Sequence, residues 1–333
     1  MIRTRGLTRD FTAGRGEVVH AVRGIDLDVE AGELVAVLGP NGAGKTTTMR
    51  MLTTLIAPSA GRAEVAGYDV VAEPGRVRRR IGYVGQGNGA GHSQRVHDEL
   101  RTQGAVFGLD RRAARRRADE LLDALDLGGL AGRKVSALSG GQRRRLDVAI
   151  GLVHAPSLLF LDEPSTGLDP QNRANLWEHV RRMRREHAMT VVLTTHYMDE
   201  ADTVAERVVV VDHGEVIADD TPEALKSELA GDRVAVTAAT AEHARTVARI
   251  AERLPAREVV LDGLRVEARV ADGPRTLPAL LAAARDAGAG VVTAQVHRPT
   301  LDDVFLSLTG RSLRDAGAPT TDSTTGPTRK DAA

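Results

Sequence analysis

The stretch GPNGAGKTT, Gly39–Thr47, constrains this chain more than any other. It fits G-x-x-x-x-G-K-[ST]. The run before it, ELVAVLG (Glu33–Gly39), is apolar throughout, as a strand buried on both faces is. After it, Met49, Leu52 and Ile56 fall on one helical face. Strand, glycine loop and helix in that order curl backbone N–H groups around an anion at the positive end of a helix. Glycine lets the backbone approach where a side chain would block it. Lys45 then reaches the β/γ-phosphates, and the Thr46 hydroxyl is placed to hold Mg2+. The 333 residues include only four lysines, Lys45, Lys134, Lys226 and Lys330, so a lysine in this loop carries weight.

The rest of the chain sets the frame. Short strand-like pieces precede the loop near Ile2–Arg5, Val18–Val22 and Ile25–Val29. Residues 98–127 have a helical pattern, and a second helix runs from LSGGQ through Ile150. SLLFLDEP (Ser157–Pro164), TVVLTTH (Thr190–His196) and RVVVVD (Arg207–Asp212) read as buried strands, with a helix over Asn172–Glu186 between the first two. Alternating apolar strands and helices imply a parallel α/β core. After about residue 230 the order becomes βαββαβ, the split pattern of ferredoxin-like modules. A last helix begins at Thr300, where TLDD offers a capping box with Asp303. The small, polar, proline-containing stretch from about Arg311 is expected to be disordered.

Composition removes several function classes. There are no cysteines, which excludes disulfides, zinc fingers and thiol catalysis. The N-terminus has no apolar core of secretory length, and no run approaches the ~18 apolar residues of a membrane span. Lys+Arg and Asp+Glu both number 45, so no net charge draws the chain to nucleic acid. Aromatics are only 2%, too few for a base-stacking platform. The arginine runs (Arg111–Arg117, Arg143–Arg145, Arg181–Arg185) are read as solvated helical faces.

Four more sites carry chemistry. LLFLDE (Leu158–Glu163) is a strand ending in two acids: Asp162 is placed to bind Mg2+ through water, and Glu163 suits a general base. In LSGGQ, Ser139 and Gln142 form an S-x-x-Q capping box, while Gly140 and Gly141 leave the backbone bare. A cap and a phosphate site are compatible there, because orphan N–H groups at a helix start suit both. A lone histidine is more often structural, but His196 ends a parallel strand, where α/β sheets bind ligands. Gln86 follows IGYVG in the same manner.

Together these pieces resemble the ATP-binding subunit of ATP-binding cassette (ABC) transporters over residues 1 to about 225. The match comprises the Walker A loop GPNGAGKTT, Gln86 of the Q-loop, the signature LSGGQ, the Walker B run LLFLDE, the D-loop STGLD (Ser165–Asp169) and the switch His196 in TTHYMDEAD. RRRLDVAIGL, VVVVDHGEVIADDTPEALKSEL and PTLDDVFLSLTGR are similar to the daunorubicin/doxorubicin-resistance exporter type, which has a C-terminal extension. GQGNGAGHSQRVHDEL (Gly85–Leu100) departs from that type's wording in the neighbourhood used to contact a membrane partner.

The resemblance implies a P-loop NTPase fold: parallel core sheet, antiparallel β subdomain and helical subdomain over residues 1–228, a small α+β extension over 229–310 and a tail over 311–333. It implies ATP and Mg2+ as ligands. Nucleotide contacts would come from Gly39, Pro40, Asn41, Gly42, Ala43, Gly44, Lys45, Thr46 and Thr47, and from Phe11 stacking on adenine, although simple core packing also accounts for Phe11. Thr46, Gln86 and Asp162 would serve the metal. Glu163, His196 and Gln86 would serve hydrolysis. Ser139, Gly140, Gly141, Gln142 and Asp169 would act across a head-to-tail pair with a second copy of the chain. The implied function is ATP-driven export of a hydrophobic drug or secondary metabolite through a separately encoded permease, at the cytoplasmic face of the membrane. The alternative is a soluble cassette ATPase in regulation, translation or repair.

Overall fold

The computed structural model describes residues 1–12, 14–227 and 231–310. The tail at 311–333 and the boundary drawn at 228/229 lie outside the described residues. No helix among them is long and apolar enough to cross a membrane.

A six-stranded sheet carries the fold. It contains β3 (Leu34–Leu38), β6 (Ile81–Val84), β7 (Leu158–Asp162), β8 (Thr190–Thr195), β9 (Arg207–Asp212) and β10 (Glu215–Asp220), in the order β10-β9-β3-β8-β7-β6. All neighbours are parallel except the β9–β10 hairpin. Every residue of β3, β7 and β8 is buried, as their unbroken apolar runs require. Side chains alternate across a strand, so β3 feeds two cores: Leu34, Ala36 and Leu38 face one, Val35 and Val37 the other.

The second core packs against α1 (Lys45–Leu52), α2 (Pro74–Arg80) and an antiparallel sheet of order β2-β1-β4-β5. There β1 (Ile2–Thr12) and β2 (Val18–Val29) are long paired strands, joined by β4 (Ala60–Val65) and β5 (Tyr68–Asp69). The separate pieces expected at Val18–Val22 and Ile25–Val29 are one strand. Register shifts in its pairing with β1 let it continue through the glycine at position 24.

The first core packs against helices: α3 (Val96–Val106), α4 (Arg111–Ala124), α5 (Gly140–Leu152), α6 (Pro170–His187) and α7 (Met198–Val204). The helical pattern over 98–127 is two helices, broken at Gly108, whose positive φ reverses the chain, and restarted by Asp110, which caps the N–H groups of Arg112 and Ala113.

A third sheet has its own core. Its strands β11 (Asp232–Ala238), β12 (Ala256–Asp262), β13 (Arg265–Val270) and β14 (Val291–His297) run antiparallel in the order β12-β13-β11-β14, with α9 (Ala241–Ala251) and α10 (Gly273–Asp286) packed on it. This is the ferredoxin-like order expected from βαββαβ. The last helix among the described residues, α11 (Leu301–Thr309), leaves this sheet. It packs on α7 and α8 (Pro222–Leu225), and Leu301, Val304 and Phe305 join the first core. Burying each of those side chains contributes roughly 1.5–3 kcal/mol, so the extension is tied back onto the cassette.

Candidate functional site

Four parallel strands deliver their carboxyl ends to one edge of the core sheet. β3 leads into the glycine loop, β6 into Gln86, β7 ends at Asp162 with Glu163 next, and β8 ends just before His196. Such an edge is where open α/β sheets bind ligands.

The loop is built as its sequence requires. At Gly39 a Cβ would lie 2.1 Å from the carbonyl oxygen of Val211, so only glycine lets the loop pass β9. Gly44 has φ 100°, and a Cβ there would lie 2.5 Å from the carbonyl of Ala21 on β2. Asn41 and Gly42 are exposed, Pro40, Ala43 and Gly44 are buried, and Thr46 and Thr47 are half-buried in the first turn of α1.

Lys45 is 4% exposed, and its ammonium donates to the carbonyls of Gly39 (2.8 Å) and Pro40 (2.9 Å). One of its three N–H groups is left over, with Glu163 Oε1 at 3.8 Å. Burial lowers the Lys45 pKa, with Glu163 and Asp162 acting against it. A desolvated ammonium with a spare donor is stabilised by an anion.

The two acids at the end of β7 occupy different surroundings. Asp162 is 1% exposed and accepts from the hydroxyls of Thr194 (2.7 Å), Thr46 (3.0 Å) and Tyr83 (3.4 Å). The Gln86 amide nitrogen donates to Thr46 Oγ1 at 3.0 Å. Hydroxyl, carboxylate and amide thus converge. Hard oxygen donors of this kind fit Mg2+, which takes one or two protein ligands and fills its shell from phosphates and water. Gln86 fits if its amide turns to present oxygen. Among the described residues no group of three His, Cys, Asp or Glu could hold a metal by itself.

Glu163 has a left-handed backbone, φ 47°, costly for a residue with a side chain and concentrated at functional sites. The strain is held by its N–H, which donates to the carbonyl (3.1 Å) and hydroxyl (3.0 Å) of Thr194. Its carboxylate lies 3.8 Å from Lys45 Nζ and 3.4 Å from His196 Nδ1. His196 is steadied through its neighbours. Thr195 donates to the buried Glu200 (2.5 Å), which also accepts from Trp177 Nε1 (2.5 Å), and the N–H of Tyr197 donates back to Thr195 (2.9 Å).

The signature residues form a second cluster. Ser139 caps α5, and Gln142 reaches back to its N–H in the expected capping box. Ser139 and Gly140 are exposed, and a Cβ on Gly140 would meet nothing within 4 Å. A Cβ on Gly141 would lie 2.4 Å from Asn172 Oδ1. Asp169 caps α6 and accepts from the side chain of that same Asn172 (2.6 Å). The backbone N–H of Asn172 is the main influence holding the Asp169 carboxyl below the ordinary aspartate range. No hydrogen bond or ion pair among the described residues joins Ser139, Gly140 or Asp169 to the glycine loop. Phe11 stands apart on the β1–β2 hairpin, 39% exposed and paired with Val19, with the Arg9 guanidinium 4.7 Å over its ring. Its exposure argues against plain core packing.

Arg144 departs from the solvated faces expected of the arginine runs: it is 8% exposed and donates to the carbonyls of Gly85 (2.7 Å), Pro164 (2.7 Å) and Asp162 (3.3 Å). The run of three arginines hid it, because α5 turns only the middle one inward. Tyr83, Thr194 and Glu200 are given no role by the sequence motifs, yet the fold brings them to the site. The signal available for Thr194 was two hydroxyls at the end of an otherwise apolar strand.

Fold and site together define an ATP-binding cassette ATPase. A family model described as ABC transporter matches residues 22–166, and one described as the C-terminal domain of DrrA1-3-like ATP-binding proteins matches residues 221–309. The daunorubicin resistance ATP-binding protein DrrA2 of Streptomyces coeruleorubidus is 44% identical over 301 residues, covering 90% of this chain and 93% of that protein. The linearmycin resistance ATP-binding protein LnrL of Bacillus subtilis is 34% identical, covering 88% and 95%. A dimeric cassette in a post-hydrolysis state bound to ADP and Pi superposes with TM-score 0.61 at 25% identity, covering 66% of this chain and 98% of that one. The chain belongs to the ABC transporter ATP-binding proteins, of the daunorubicin/doxorubicin-resistance type.

Proposed function

We propose that this ATPase powers export of a hydrophobic drug or secondary metabolite through a separately encoded permease, to which it is bound at the cytoplasmic face of the membrane. Residues 1–228 are the ATPase unit and 229–310 the extension. The reading is supported by the drug-resistance names of its relatives and, above all, by the division of labour between two adjacent acids. Asp162 is engaged with Thr46, on the side of Gln86, while Glu163 is held apart, between Lys45 and His196.

Thr46, Asp162 and Gln86 would hold Mg2+, which supplies charge neutralisation at the phosphates. The glycine loop and Lys45 bind the phosphates, Phe11 stacks on the base, and Glu163 takes the proton of the attacking water while His196 senses the γ-phosphate. Among the described residues, Ser139, Gly140, Gly141 and Gln142 share no hydrogen bond or ion pair with the loop of their own chain. They complete a site on a second copy in a head-to-tail pair, with Asp169 near the seam. A γ-phosphate that bridges the two halves favours closure, and its loss lets them reopen.

The test is co-expression with a membrane permease encoded beside this chain's gene and a drug-accumulation assay. Wild type should lower accumulation, and Glu163→Gln should not. Equal accumulation with and without the wild-type pair defeats the export reading.

A further inference from the structure

One turn of α5 grips both flanks of the loop after Gln86. Arg144 donates to the carbonyl of Gly85, just before Gln86, and to those of Asp162, at the end of β7, and Pro164, just after it. Asp147 lies three residues further along α5, on the same face. Its Oδ1 accepts from the N–H groups of Gly89 (3.0 Å) and Ala90 (3.2 Å). Asp147 is 4% exposed, and its Oδ2 has no hydrogen-bond partner. Burial pushes its carboxyl above the ordinary aspartate range, against the pull of the Gly89 N–H and Arg144.

A buried acid amid LDVAIGL is expensive, and packing alone is served better by an apolar residue. The loop explains its presence. Positions 85, 87, 89 and 91 are glycine, so this segment has little side-chain packing of its own. Its backbone is anchored by the Gln86 amide on Thr46 at one end and by Asp147 at the other.

We propose that Asp147, braced by Arg144, is a positioning residue that couples the two ATP sites of a dimer. The contacts run from Thr46 to Gln86, along the loop to Gly89 and Ala90, into Asp147, and up α5 to its cap at Ser139. Thr46 serves the chain's own nucleotide, whereas Ser139 serves the partner's. This rests on the head-to-tail pairing proposed above. A shift of Gln86 on binding or loss of the γ-phosphate is passed through the loop to the helix that caps the opposite site.

The test has a kinetic and a spectroscopic arm. In steady-state Mg·ATP hydrolysis, Asp147→Ala should lower the Hill coefficient to about 1 and reduce kcat about tenfold. ATP affinity in a Glu163→Gln background should change no more than about twofold, because Asp147 touches no phosphate-binding group. Asp147→Asn keeps an oxygen that accepts both N–H groups and should rescue both effects. The double variant Gln86→Ala/Asp147→Ala should lose no more than the worse single variant. Multiplied losses would show independent action and overturn the coupling.

For the second arm, the cysteine-free chain accepts a single nitroxide at Gly87→Cys, where an added side chain meets nothing within 4 Å. Without nucleotide, Asp147→Ala should narrow its spectrum and Asp147→Asn should not. Identical spectra overturn the pin. This arm needs no pairing, so a wild-type Hill coefficient of 1 with the expected narrowing would refute the coupling while leaving the pin in place; the pairing itself is tested separately, by mixing Lys45→Ala with Gly140→Asp.

Discussion

Two neighbouring acids in LLFLDE differ because the chain turns between them. Asp162 is the last residue of β7 and points among hydroxyls, whereas Glu163 takes a left-handed backbone that swings its carboxylate toward Lys45 and His196. Glu163→Gln should therefore bind ATP as wild type does and lose about 10²- to 10⁴-fold in turnover, read by phosphate release. Wild-type turnover would remove Glu163 from the chemistry. Lys45→Ala removes a buried, charge-assisted donor and should weaken nucleotide binding about 10- to 150-fold, measured by titration with a fluorescent ATP analogue. The identities of these residues were legible in the sequence, since the motif supplies type and spacing. The strain at Glu163 was not, because it depends on Thr194, 31 residues away.

Among the elements, α11 does most to join the extension to the cassette. Thr300 caps it and Asp303 closes the box, as TLDD implied. Its destination was not implied, because an apolar stripe does not name its partner. Phe305, wholly buried in the first core, should cost about 3–5 kcal/mol on replacement by Ala. Thr300→Ala should cost about 0.5–2 kcal/mol. Urea unfolding checks both, and a Phe305→Ala midpoint equal to wild type would detach α11 from the core.

Burial alone would raise the Asp303 carboxyl, but hydrogen bonds from the Thr300 backbone and hydroxyl and the Arg233 guanidinium outweigh it and hold the pKa low. A depressed carboxylate adds stability above its unfolded value of about 3.9, and that stability is lost as pH falls through the folded value. Asp303→Asn should flatten that acid limb of the stability profile.

At the scale of the whole molecule, the phosphate-binding and signature clusters sit in one chain yet share no hydrogen bond or ion pair among the described residues. If each completes the other only in a second copy, inactive variants should complement. Lys45→Ala and Gly140→Asp should each be inactive alone. Mixed in equal parts before pairing, they leave one whole composite site in each mixed dimer, restoring turnover to at most roughly a quarter of wild type, and to less where the two sites are coupled. A mixture as inactive as its parts would mean that the two motifs do not meet across a seam.

The sequence by itself determined the strand–loop–helix cradle, the alternation that makes a parallel sheet, the βαββαβ extension and the caps at Ser139 and Thr300. Each is written in residues a few positions apart, where periodicity and φ/ψ preference act. Tertiary structure decided that Arg144 is buried among carbonyls, that Asp147 holds the loop after Gln86, and that α11 returns to the cassette core. Those contacts join segments 18 to more than 50 residues apart, and which faces meet is set by the packing of strands and helices that no local pattern encodes.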